Sequence, residues 1–266
     1  MTDMSEIAAI DEMVVKARVA QNAYEAKGSQ GLFDSACQAV AWVLMEPARN
    51  KMLAEMAVAE TGLGRVEDKI RKNHNKTLGL MRDLKDVTSF GHLGDDEVTG
   101  LSSYLRPKGV IAAIVPSTNP LATPVNNIIN ALKTGNAIIL APSPKGVKPL
   151  TTMLTDIHQA LGRLGLPDNL VQMVSAPPSR TKTERLMKLS DLVVVTGSQN
   201  NVRAGYESGT PAIGVGAGNV VTIIDETADI AAAAQKIAAS KTFDNATSCS
   251  SENSVIAVDA VYDEVV

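Results

Sequence analysis

The run Pro107-Lys108-Gly109-Val110-Ile111-Ala112-Ala113-Ile114-Val115-Pro116-Ser117-Thr118-Asn119-Pro120 decides the fold. From Gly109 to Val115 there is no charged or polar side chain, and Val and Ile dominate until Pro116 stops the run. An unbroken apolar stretch of this length, rather than an alternating one, reads as a strand buried on both faces, the pattern of a parallel sheet covered by helices. Downstream the rhythm repeats. Residues 125–133, 147–163 and 181–189 read as helices, while 137–140, 170–174 and 192–195 read as strands, the last ending at Thr196-Gly197-Ser198. Short β-rich pieces at 212–215 and 220–224 precede an Ala-rich helix at 228–240, and 254–258 reads as a final strand before a helix start. Strands alternating with helices give an α/β fold with a parallel sheet and helices on both faces.

Upstream, apolar residues at helical spacing place helices at 5–27, with Gly28 as a stop, and at 31–60, which Pro47 should kink or divide. A basic, polar helix follows at about 64–82. The segment 86–106 changes character: 87–90 and 102–106 read as short strands, with Gly91, Gly94 and Gly100 marking turns. No internal repeat or low-complexity linker interrupts the chain.

The 266 residues suffice for a sizeable core in one large domain or two. With 45% hydrophobic, 20% charged and 3% aromatic residues, the composition is that of a soluble α/β protein. A formal net charge of −4 and few stacking aromatics argue against a nucleic-acid partner. His74, His92 and His158, with Cys37 and Cys249, form no spaced metal motif, so no metal is expected. The N-terminus carries acid and no apolar signal core, and 109–115 is too short to span a bilayer. The expectation is a cytoplasmic protein with no membrane contact.

In an open parallel sheet, ligands bind beyond the carboxyl ends of the strands. One such end carries Pro116, Ser117, Thr118 and Asn119, either a Pro-bounded turn or a polar tip facing a ligand. A second carries Ala141, Pro142 and Ser143, followed by Lys145, which could meet a phosphate or simply be solvated. A third is Thr196-Gly197-Ser198, where glycine lets backbone approach and a helix start offers N–H groups for pyrophosphate. The cluster Gly214-Val215-Gly216-Ala217-Gly218 is a flexible turn, or backbone that must pass close to a cofactor or to the cysteine. Cys249, one of two cysteines, sits in Ala-Thr-Ser-Cys-Ser-Ser-Glu-Asn, a polar setting that suits a reactive thiol better than an inert core one.

Taken in order, these stations resemble the aldehyde dehydrogenase superfamily, and within it the CoA-acylating branch. The resemblance rests on 107–120, on Asn136 to Pro144, on Val194 to Ser198, on Gly214 to Asn219, and on Lys241-Thr242-Phe243-Asp244-Asn245 through Cys249. It implies a Rossmann-type sheet with a helical N-terminus, binding NAD or NADP across residues 1–240. It also implies that about 86–106 supplies oligomerisation strands for a homo-oligomer. Residues 241–266 would begin a second α/β catalytic domain carrying the cysteine, the remainder being absent, since only 17 residues follow Cys249.

The departures are informative. Hydrolytic members carry Pro-Trp-Asn-Phe-Pro where this chain has Pro116 to Pro120, and Lys-Pro-Ala-Glu where it has Ala141 to Pro144. Their water-activating glutamate, within Leu-Glu-Leu-Gly-Gly, falls on Val215. Without that base, the thiol of CoA is the expected acyl acceptor. The missing Lys and Glu leave NAD versus NADP open. The resemblance therefore implies that Cys249 attacks a small aldehyde, with its own backbone N–H and the Thr118 or Asn119 side chain stabilising the oxyanion, to give acyl-CoA reversibly. Its local sequence is more similar to sulfoacetaldehyde-type than to acetaldehyde enzymes. The alternatives are a fragment that binds nucleotide without turnover, a non-acylating member of the superfamily, and an interaction protein using the 86–106 strands.

Overall fold

Four helices lead the chain: α1 (Thr2–Ala26), α2 (Gln30–Met45), α3 (Pro47–Thr61) and α4 (Val66–Asp83). The computed structural model describes residues 2–266, with side chains from Met4 onward. The expected break at Pro47 divides α2 from α3. Glu46 ends α2 and caps α3, its carboxylate accepting from the N–H groups of Ala48 at 3.0 Å and Arg49 at 2.8 Å. Pro47 at the first helical position forfeits only a donor that would have no partner there.

The hairpin differs from expectation. Its strands are β1 (Gly91–Asp96) and β2 (Leu101–Leu105), antiparallel with a bulge between His92 and Gly94. Gly100 does lie in the turn, but Gly91 and Gly94 lie within β1, and 87–90 is not a strand. The reason is a set of contacts to the helices. Ser89 donates its N–H to Gln30 at 2.8 Å and its hydroxyl to the Lys133 carbonyl at 2.5 Å. Phe90 packs edge-on against Phe33 with ring centres 5.1 Å apart. These anchors hold 87–90 against the helical layer, and pairing begins only beyond them.

The main sheet is built from β3 (Val110–Val115), β4 (Ala137–Pro142), β5 (Val171–Met173), β6 (Leu192–Thr196) and β7 (Ala212–Val215). Between them run α5 (Ala122–Lys133), α6 (Val147–Gly162), α7 (Arg180–Leu189) and α8 (Gln199–Glu207). All neighbouring strands are parallel, in the order β5-β4-β3-β6-β7. β3 and β4 are buried along their whole length, as the apolar run requires. The chain winds outward from β3 to β5, then returns to place β6 and β7 on the other side. The order therefore reverses between β3 and β6, the place where such sheets open a ligand crevice.

Helices flank this sheet. α2 packs along α5 and α6, while α1 packs along α7 and crosses β3, β4 and β5. Ile128, Ile129 and Leu132 of α5 are wholly buried, each worth about 1.5–3 kcal/mol relative to exposure. Asp191, just before β6, accepts from the Val110 N–H at 2.7 Å and pairs with Arg18 at 2.9 Å, tying α1 to the entrance of the central strands. Beyond β7, β8 (Val220–Ile224) pairs in parallel with β9 (Glu252–Ala257) as a separate two-stranded sheet. α9 (Ile230–Thr242) lies between them in sequence, and α10 (Tyr262–Val265) follows. No helix among the described residues is long and apolar enough to cross a membrane.

Candidate active site

The carboxyl ends of β3, β4 and β6 open onto a cleft of about 1120 Å³. Pro116, Ser117, Thr118 and Asn119 line it after β3, Ala141, Pro142 and Ser143 at the end of β4, and Thr196, Gly197 and Ser198 at the end of β6. Gly216 and Cys249 also line it. The strand-end loops and the cysteine, separated by up to 133 residues, thus share one cavity. Gly214 and Val215 lie on β7 outside that lining, with Val215 exposed and the Gly214 N–H donating to the Tyr206 hydroxyl at 3.1 Å. Lys145 also lies outside it and donates to the Thr61 carbonyl at 3.4 Å.

Local bonds explain why these ends stay open. Ser198 caps α8, its hydroxyl accepting from the Asn201 N–H at 3.3 Å, and the Gly197 N–H donates to the Val215 carbonyl at 3.1 Å. Ser143 ties its N–H to the Val115 carbonyl at 3.2 Å, so the ends of β3 and β4 are held side by side. Its hydroxyl is buried without a hydrogen-bond partner among the described residues. A buried orphan hydroxyl is costly unless a ligand or water completes it.

The two cysteines have opposite settings. Cys37 lies buried in α2, its thiol donating to the Ile129 carbonyl at 3.4 Å, and burial pushes that thiol up to about 12. Cys249 is free and exposed on the cleft. Its backbone is close to Gly218: a methyl group built there would stand 2.1 Å from the Cys249 carbonyl oxygen. The glycine cluster at 214–218 therefore makes, at Gly218, a close approach to the cysteine rather than a loose turn. None of the three histidines lines the cleft. His158 contacts the Val171 carbonyl at 2.7 Å, His92 pairs with Asp95 at 2.9 Å, and His74 meets Asn75 at 3.3 Å.

Three charged residues at this site escape a reading of the sequence. The turn before the cysteine runs through Asp244, Asn245 and Ala246 with φ of 52°, 52° and 58°. Left-handed backbone costs roughly 1–2 kcal/mol per residue without glycine, so something must hold it. Asp244 is wholly buried and accepts from the ammonium groups of Lys69 and Lys72, both on α4. The two lysines are three apart, hence on one helix face, but such lysines are ordinarily solvated. Only the partner carboxylate, 175 residues away, gives them meaning.

Fold and cleft define an open parallel α/β protein with an exposed thiol on the cleft at the reversal of strand order. The model of the aldehyde dehydrogenase family matches residues 6–266, and the chain belongs to that family. Among its relatives, an acylating sulfoacetaldehyde dehydrogenase of Cupriavidus necator is 59% identical over 254 residues, which are 96% of this chain and 51% of that protein. A crystal structure of an acetylating aldehyde dehydrogenase from Geobacillus thermoglucosidasius superposes with a TM-score of 0.91 at 36% identity, covering 100% of this chain and 58% of that one. A propionaldehyde dehydrogenase of Rhodopseudomonas palustris, seen with bound CoA and an acylated cysteine, gives 0.85 at 34% identity over 96% of this chain and 58% of that one. The chain spans about half the length of the curated relatives it matches.

Proposed function

We propose that the chain takes part in CoA-dependent oxidation of a small aldehyde to an acyl-CoA, with Cys249 as nucleophile. One observation carries this reading: the exposed thiol of Cys249 opens onto the same cleft as the strand-end loops at the reversal of strand order. The cleft suits NAD or NADP: it lies where open α/β sheets hold dinucleotides, and Ser143, one of its lining residues, has a buried hydroxyl with no hydrogen-bond partner among the described residues. Pro116, Ser117, Thr118, Ala141, Pro142, Ser143, Thr196, Gly197, Ser198 and Gly216 would hold it, with Gly214 and Val215 supporting from β7. When bound, the dinucleotide supplies the hydride acceptor.

In this reading Cys249 thiolate adds to the aldehyde carbonyl. The oxyanion of the resulting thiohemiacetal is met by the Cys249 N–H and by the Thr118 or Asn119 side chain. Loss of hydride leaves a thioester on Cys249. The thiol of CoA gives up its proton to solvent, attacks that carbonyl as thiolate and expels Cys249 as thiolate. Val215, exposed and apolar where hydrolytic relatives place a carboxylate, leaves water without an activating base. The similarity to an acylating sulfoacetaldehyde dehydrogenase supports a small, polar aldehyde as substrate.

We read residues 1–240 as the dinucleotide-binding part and 241–266 as the beginning of the catalytic part, joined through the β8–β9 sheet. The chain is proposed to act in the cytoplasm as a homo-oligomer that pairs through the β1–β2 hairpin, whose Leu101 and Tyr104 are exposed. Replacing Cys249 by Ala or Ser in the complete polypeptide tests the central assignment. CoA-dependent reduction of NAD(P) by the aldehyde should fall by at least about 10³-fold, and unchanged turnover would overturn it.

A further inference from the structure

Asp244 has no polar atom to spare. Its Oδ1 accepts from the Arg65 N–H at 2.9 Å, and its Oδ2 accepts from Lys69 at 2.9 Å, from Lys72, and from the Thr247 hydroxyl at 2.7 Å. Its own N–H donates to Asp68 at 3.0 Å, and its carbonyl accepts from the Thr247 N–H at 3.1 Å and lies 2.8 Å from the Thr247 hydroxyl, whose single proton it shares with Oδ2. The side chains of Asp244, Lys69 and Lys72 are 0%, 1% and 2% exposed. A buried charge persists only when paired and saturated, as this one is. Around it stand Arg65, just before α4, and Asp68 of α4, 3.9 Å apart, and the guanidinium of Arg71 lies 5.6 Å from the centre of the Phe243 ring.

The same cluster reaches the other wall of the cleft. The Lys69 ammonium that holds Asp244 also donates to the Thr118 carbonyl at 3.3 Å. One buried cation therefore touches the loop that leads to Cys249 and the loop after β3. Space is reserved for this cluster: at Gly64, with φ of +77°, a methyl group would stand 1.9 Å from Asp244 Oδ1. Between Asp244 and Cys249 lie only four residues, and Thr247 among them is bonded back to Asp244.

We infer that Asp244, acting through Lys69, is a positioning residue that sets Cys249 against the Thr118 loop. The inference rests on the reading of Cys249 as the nucleophile. It assigns Asp244 no contact with substrate. Its carboxylate holds the left-handed turn in place, and Lys69 transmits that placement to the loop proposed to stabilise the oxyanion. Misplacing a reacting group by about 1 Å costs on the order of 10²-fold in rate, which sets the scale expected.

The test uses Asp244→Asn in the complete polypeptide, with Lys69→Met and Thr247→Val as milder variants. Asparagine keeps the size but not the charge that the two ammoniums face. Expected for Asp244→Asn is a fall in kcat of about 50–100-fold with the KM for NAD(P) within about two-fold. Alkylation of Cys249 by iodoacetamide should slow about ten-fold, with buried Cys37 left unlabelled as the internal reference. Lys69→Met should show the same split, and Thr247→Val a smaller one. A lowered melting temperature with Cys249 alkylation and kcat unchanged in the folded protein would overturn the inference, since that is a structural role alone. If Asp244→Asn does not fold, parental kcat and alkylation in both milder variants overturn it equally. The alkylation arm needs no turnover, so failure of the acylating reading, seen as activity surviving Cys249→Ala, is told apart from failure of this one.

Discussion

At the scale of single residues, the account turns on how tightly the backbone around Cys249 is constrained. Gly218→Ala would push a methyl group to 2.1 Å from the Cys249 carbonyl oxygen, a backbone atom that cannot swing aside. The expected outcome is a kcat lowered by about 10–100-fold with the protein still folded, read by steady-state kinetics beside circular dichroism. Asp244 contributes to the acid side of the stability profile. Burial alone would raise its carboxyl, but hydrogen bonds from Lys72, Lys69, the Arg65 N–H and Thr247 outweigh that and hold it below the ordinary aspartate range. A carboxyl depressed in the folded state contributes stability above its unfolded value of about 3.9, and that contribution is lost as pH falls through the folded value. Melting temperatures taken from pH 6 down to pH 3 should therefore drop in the parent, with Asp244→Asn lacking this component of the slope. Equal acid slopes in the two would contradict the assignment. Lys72 has the opposite sign: burial first, against its bonds to Asp244, lowers its ammonium below the ordinary range, so its charge opposes folding at neutral pH. Asp244 is the compensation.

At the scale of elements, the parallel strands announce themselves because a strand buried on both faces has no polar positions to blur it. The runs at 109–115, 137–140 and 192–195 coincide with β3, β4 and β6, and the loops after them are the loops that meet in the cleft. The hairpin was less legible. Its strands are short and polar, and what displaces them from 87–90 is a hydrogen bond from Ser89 to the far end of α5, which no local pattern encodes. The Lys69–Lys72–Asp244 cluster was illegible for the same reason: each member is ordinary in its own neighbourhood. The placement of α5 behind the 116–120 loop depends on wholly buried Ile128. Ile128→Ala should cost about 2–5 kcal/mol, measured as a shift of the denaturant midpoint without a change in slope. A loss below about 0.5 kcal/mol would show that α5 is not part of the cooperative core.

At the scale of the whole molecule, the fold brings a reversal of strand order, a cleft of about 1120 Å³ and a free thiol to one place. The hairpin proposed to pair copies of the chain is exposed, with Val98 at 96%, Leu101 at 66% and Tyr104 at 63% exposure. Leu101→Lys with Tyr104→Lys in the complete polypeptide should lower the mass seen by light scattering, whereas an unchanged mass would remove the hairpin from the interface. The most direct measurement concerns Cys249 itself. The complete polypeptide is mixed with aldehyde and NAD(P) without CoA, then digested and mapped by mass spectrometry. The account predicts an acyl group on the peptide bearing Cys249 that persists until CoA is added and then leaves as acyl-CoA. An acyl group found elsewhere, or free acid released rapidly before CoA is present, would contradict it.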